Sequence, residues 1–86
     1  MYDGNYQYSI KNLSKAIELD PELIDAYLSR GRAYTELDKH AEAIDDYTKV
    51  IELNPESVTA YLSRGIAYLV KASTTKLSRI TARRLT

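Results

Sequence analysis

The 86-residue chain has no cysteine, tryptophan or phenylalanine, and only three glycines, two prolines and one histidine. Without cysteine there are no disulfides, no thiolate metal sites and no cysteine nucleophile, and the default address is intracellular. No run approaches the roughly 18 consecutive apolar residues of a membrane span. The opening "MYDGNYQYSI" also lacks the basic and apolar regions of a signal peptide. These absences predict a soluble, unexported, cytoplasmic protein. The lone His40 lies on an apolar stripe, which predicts a packed or half-exposed imidazole and not a base or ligand. No Gly-rich phosphate loop is present, because "DGN" reads as a turn and Gly31 and Gly65 stand singly in helical patterns. The sequence therefore predicts no catalytic residues, no metal, no cofactor and no enzyme.

Acidic residues are missing from one end. Residues 1–70 hold all twelve acids and seven bases, a balance of minus five, while residues 71–86 hold five bases and no acid. A tail of plus five can fold back on an acidic body or stay solvated. Five charges are few for the footprint of a nucleic-acid binder, so neither nucleic acid nor membrane is the expected partner. "RRLT" at residues 83–86 resembles a basophilic kinase acceptor, a four-residue pattern that arises often by chance.

Repetition is what the chain does have. "AYLSRGRAY" at Ala26–Tyr34 returns as "AYLSRGIAY" at Ala60–Tyr68, with Arg32 against Ile66 the one mismatch. Leu23, Tyr27, Tyr34 and Leu37 fall at helical spacing; after the break "LDK", His40, Ala43, Ile44, Tyr47, Val50 and Ile51 form a second stripe, closed by Asn54-Pro55. So short a connection predicts an antiparallel helix hairpin. Asp20-Pro21 and Asn54-Pro55 precede the two copies, each supplying an acceptor side chain and then a residue tolerated in a first helical turn. Ile10, Lys15 and "IEL" at residues 17–19 match Ile44, Lys49 and "IEL" at residues 51–53. The chain thus reads as opening halfway through a unit. The expected organisation is a helical repeat region over residues 1–70: the second helix of a partial repeat at 5–21, a complete repeat at 22–55 and the first helix of a third at 56–70. Residues 71–86 form a divergent basic tail.

A helix–turn–helix unit of 34 residues with Gly31, Tyr34, Ala43 and Pro55 at these offsets, and with Tyr27 and Tyr47, resembles the tetratricopeptide repeat. Tyr61, Gly65, Ala67 and Tyr68 continue the pattern, and Tyr6, Ala16 and Pro21 precede it. The resemblance covers residues 3–70. It implies an all-α fold, an α–α superhelix of antiparallel helix hairpins with about two and a half repeats. It further implies a protein–protein interaction scaffold that holds a peptide or a partner helix in a concave groove. Carried over by position, the groove residues are Asp25, Leu28, Ser29, Arg32, Thr35 and Glu36 from one first helix, and Thr59, Leu62, Ser63, Ile66, Leu69 and Val70 from the next. The Lys, Asn and Arg clamp by which some members hold a C-terminal carboxylate is represented only by Arg32.

The pattern also carries finer expectations. A helical glycine costs about 1 kcal/mol relative to alanine, so Gly31 and Gly65 should admit a close backbone, with Ala43 as the small partner of Gly31. Arg30 and Arg64 should lay their stems along a neighbouring helix with their heads in water. Glu42, Asp45 and Asp46 should form a solvated outer face. In the tail, Leu77 falls where Ala43 fell, and a short helix over 74–85 capped by Ser73 or Thr74 would act as an improvised second helix or a loose cap. With about two and a half units and unclosed ends, the expectation is self-association, as in a dimer, or else a fragment of a longer array, and a purely structural self-assembly element is the alternative function.

Overall fold

The computed structural model describes residues 3–85, with side chains for residues 5–72. It contains four helices, α1 (Asp3–Leu19), α2 (Ile24–Glu36), α3 (His40–Leu53) and α4 (Val58–Leu85), and no strand among the described residues. Each helix packs chiefly on its neighbours in sequence: α1 on α2, α2 on α3, and α3 on α4. The core is a thin seam and not a central mass. Tyr27, Val50 and Ala60 are buried together, with Ile17, Ile24, Leu28, Ile51 and Leu53 packed around them, so every helix contributes to one apolar cluster.

Both proline turns are built one step earlier than expected. The Asp20 carboxylate accepts the Glu22 N–H at 3.1 Å, and the Asn54 side-chain oxygen accepts the Glu56 N–H at 3.2 Å. The helices begin only at Ile24 and Val58, so these acceptors close turns across the prolines and do not cap helices. Ser57 takes the capping role in the second turn, its Oγ accepting the Ala60 N–H at 3.3 Å. At the first turn the Tyr27 hydroxyl donates to the Pro21 carbonyl at 2.9 Å, tying the turn to the seam.

The break at "LDK" ends α2 by the usual device for a sharp stop. Lys39 N–H reaches back to the Tyr34 carbonyl at 2.8 Å and Asp38 N–H to the Thr35 carbonyl at 3.0 Å. That bond pair needs a left-handed residue, and Asp38 supplies it with φ 61°. The chain reverses there, and α3 returns along α2.

Two expectations about packing are corrected. Ala43 is fully buried, but the group that approaches Gly31 is the ring of Tyr47: a β-carbon at Gly31 would lie 2.7 Å from Tyr47 Cε1. Glycine is needed there to admit an aromatic ring and not another backbone. The second correction concerns the tail, because α4 runs through Ser73 and Thr74 without a break as far as Leu85. The separate short helix with its own cap does not form, since neither Gly nor Pro interrupts "YLVKASTTKLSRI" and Ser73, Thr74 and Thr75 are carried within the helix. The expected meeting of Leu77 with Gly65 lies outside the described side chains. Among the described residues, nothing lies within 4 Å of where a β-carbon of Gly65 would stand.

The two glycines should therefore respond oppositely to one substitution. Gly65→Ala should raise the unfolding free energy by about 0.5–1 kcal/mol, the helix-propensity gain alone. Gly31→Ala should lower it by about 1 kcal/mol, because displacing the buried Tyr47 ring outweighs that gain. Urea denaturation followed by circular dichroism reads both, and a shift of the same sign in the two variants would contradict the packing described.

Candidate interaction surface

Helices α2 and α4 are related by the 34-residue repeat, so residues at that offset occupy the same angular position on each helix. Successive residues turn by about 100°. The α3-facing side of α4 carries Ala60 and Ala67, both buried. Around the same helix from these stand Thr59, Leu62, Ile66 and Val70, all exposed. On α2 the matching positions Asp25, Arg32 and Glu36 are exposed, as is Ser29, whereas Leu28 is half-buried against the seam. Ser63 is also half-buried. Thr35 is engaged within its own hairpin, donating to the Gly31 carbonyl at 2.9 Å and lying 3.4 Å from the Tyr47 hydroxyl. The arc of first-helix residues is thus charged on α2 and apolar on α4.

The most connected polar group lies on neither half of that arc. Arg30 donates through Nε and Nη2 to the two carboxylate oxygens of Asp46, at 2.8 and 2.7 Å, and through Nη1 to Ser14 Oγ at 3.0 Å. Its guanidinium also lies over the rings of Tyr27 and Tyr34, 5.8 Å from each centroid. One side chain therefore joins α1, α2 and α3. The hydrogen bonds that Arg30 donates to Asp46 raise the Arg30 pKa, with desolvation opposing them. Two expectations fail here. The Arg30 head is in an ion pair and not in water, and Asp46 is only 4% exposed and is not part of a solvated face, unlike Glu42 and Asp45. The reason is mutual: a bidentate carboxylate is what makes burial of the guanidinium tolerable, and the reverse.

Arg64 repeats half of this arrangement. Its Nη1 donates to Thr48 Oγ1 at 3.2 Å, the counterpart of Ser14, and its guanidinium lies 5.7 Å from the Tyr61 ring centroid. No carboxylate accompanies it among the described residues. The signal was present in the sequence: Ser14 to Arg30, Arg30 to Asp46 and Thr48 to Arg64 are each separated by 16 residues. Recurrence of a hydroxyl and an arginine at that interval in two units pointed to a bond between neighbouring helices. His40 is packed, its side chain 12% exposed, with Nε2 3.7 Å from Asp38 and Nδ1 buried without a partner among the described residues. No group of three or more His, Asp or Glu among the described residues could hold a metal ion, and no described helix is long and apolar enough to cross a membrane.

Two family models match this chain, one described as tetratricopeptide repeat over residues 24–57 and one as TPR repeat over residues 1–38. Together they span residues 1–57, well over half of the sequence. The chain belongs to the tetratricopeptide repeat family. No curated protein matches it significantly. Tetratricopeptide repeats generally mediate protein–protein interaction and are typically non-enzymatic scaffolds, so protein partners are implied for this one. The four-helix arrangement is an all-α tetratricopeptide array of about two and a half repeats.

Removing Asp46 leaves the Arg30 guanidinium enclosed by two rings and a hydroxyl without its counter-charge. Asp46→Ala should cost about 3 kcal/mol, the low end for a broken buried pair because part of the arginine still reaches water. Ser14→Ala should cost about 1 kcal/mol or less. Chemical denaturation of the two variants gives the comparison, and equal effects would contradict the central role of the carboxylate.

Proposed function

We propose that this chain is a non-catalytic interaction module that holds a peptide or a partner's helix along its first-helix row. Asp25, Leu28, Ser29, Arg32, Thr35 and Glu36 of α2 and Thr59, Leu62, Ser63, Ile66, Leu69 and Val70 of α4 form the candidate contact set. The observation that carries this reading is the exposure of large apolar residues on the α4 half: Leu62 is 63% and Ile66 58% exposed. A helix that leaves such residues in water has surface to bury on a partner. The charged α2 half, with Arg32 between Asp25 and Glu36, would fix orientation more than it adds affinity.

The test is a pull-down with the whole chain as bait, comparing Ile66→Glu and Arg32→Ala with the wild type. A partner that uses this row should be lost with Ile66→Glu, reduced with Arg32→Ala and retained by a control change at the exposed Glu52. Retention by all three variants would remove the row from consideration. Circular dichroism should show unchanged helicity in each, since all three positions face solvent or lie near it.

A further inference from the structure

The row on α4 does not stop at Val70. Thr59, Ser63, Ile66 and Val70 are spaced alternately by four and three residues, and the same alternation continues through Ser73, Leu77, Ile80 and Arg84. All eight positions therefore share one side of a helix that runs unbroken from Val58 to Leu85. That helix starts at the end of the molecule that holds both proline turns. Glu22, Asp25, Glu52 and Glu56 are exposed there, and neither residues 18–29 nor residues 50–63 contain a base. The bases that follow residue 70, with no acid among them, begin about 20 Å along α4 and continue away from those carboxylates. Within one chain the tail does not return to them.

We infer that α4 pairs antiparallel with α4 of a second copy, each copy laying its residues 71–85 along the other's Thr59–Val70. This rests on the row being a contact surface and names its occupant. The seam is self-complementary. With a two-fold axis between Lys71 and Ala72, Ile66 of one copy falls opposite position 77 of the other, a leucine, Ser63 opposite position 80, an isoleucine, Val70 opposite position 73, a serine, and Thr59 opposite position 84, an arginine. The two largest pairings are thus apolar on apolar at Ile66 and Leu77, and serines face the other two aliphatic residues. Charge selects the same direction. Thr59 is the repeat counterpart of the exposed Asp25 on α2, so position 84 arrives at the proline-turn end, where carboxylates stand without bases. A parallel pairing would instead set the five bases of one copy beside the five of the other.

The experiment uses the full chain. Sedimentation equilibrium from micromolar to millimolar concentration should show a dimer that weakens as ionic strength rises. Ile66→Glu should weaken it at least about tenfold, because a carboxylate would be enclosed in the apolar part of the seam, with helicity by circular dichroism unchanged. The chain has no cysteine, so introduced thiols report the register. A mixture of Ser63→Cys and Ile80→Cys chains should oxidise to the mixed disulfide, whereas neither variant alone should form a disulfide dimer, since like positions lie about 25 Å apart in the antiparallel pair. A monomer throughout the concentration range overturns the inference and leaves the row open to another protein, which the pull-down addresses separately. Disulfide dimers of the single variants would mean a parallel pair and overturn it too. So would a dimer indifferent to both Ile66→Glu and salt, whose contact would lie elsewhere on the chain.

Discussion

The bidentate bond between Arg30 and Asp46 is the constraint on which the arrangement of the first three helices depends. It is mostly withdrawn from water, so neither charge can be left alone without a penalty larger than the pair's net contribution to stability. What such a pair contributes is register. With Ser14 on the third donor and two tyrosine rings flanking the guanidinium, one rotation and one offset of α1, α2 and α3 satisfy every group at once. The apolar seam of small alanines, tyrosines and aliphatic side chains makes no directional bonds, and by itself would allow neighbouring registers at small cost.

Around that bond the repeat logic of the family becomes physical. Each hairpin buries one side of a helix and leaves another for its neighbour, so energy is gained at interfaces between adjacent elements and no central core is required. The contact between Gly31 and Tyr47 shows why the pattern tolerates a helix-weakening residue: the ring occupies the volume a side chain would need. At Gly65, which meets no side chain among the described residues, the same residue carries its conformational cost without that contact. Sequence identity between the two copies therefore does not mean equal stability.

Function is distributed in the same manner. Among the described residues no helix covers two sides of α4, the row of Leu62 and Ile66 and the side of Gly65 and Tyr68. Helix α2, with a neighbour on each side, offers mainly Asp25, Ser29, Arg32 and Glu36 to solvent.

The sequence by itself determined the first hairpin and the family, because periodicity, the 34-residue recurrence and the Gly, Tyr, Ala and Pro offsets are local or directly repeated patterns; it misread both ends, where "DGN" belongs to α1 and the tail continues α4. It also marked the turn at "LDK", since only a sharp reversal fits so short a break. What tertiary structure alone decided is how particular side chains spend their polarity and volume. Asp45 and Asp46 are adjacent acids in one helix, about 100° apart, and periodicity puts Asp46 on the side of Ala43 and Val50; that an acid can be enclosed there is decided by Arg30 across the hairpin. Gly31 and Gly65 stand in the same hexapeptide, yet a ring covers one and open space lies before the other. Composition and spacing describe a residue's own helix, whereas burial and pairing belong to the neighbour, and the neighbour's placement is set by the whole fold.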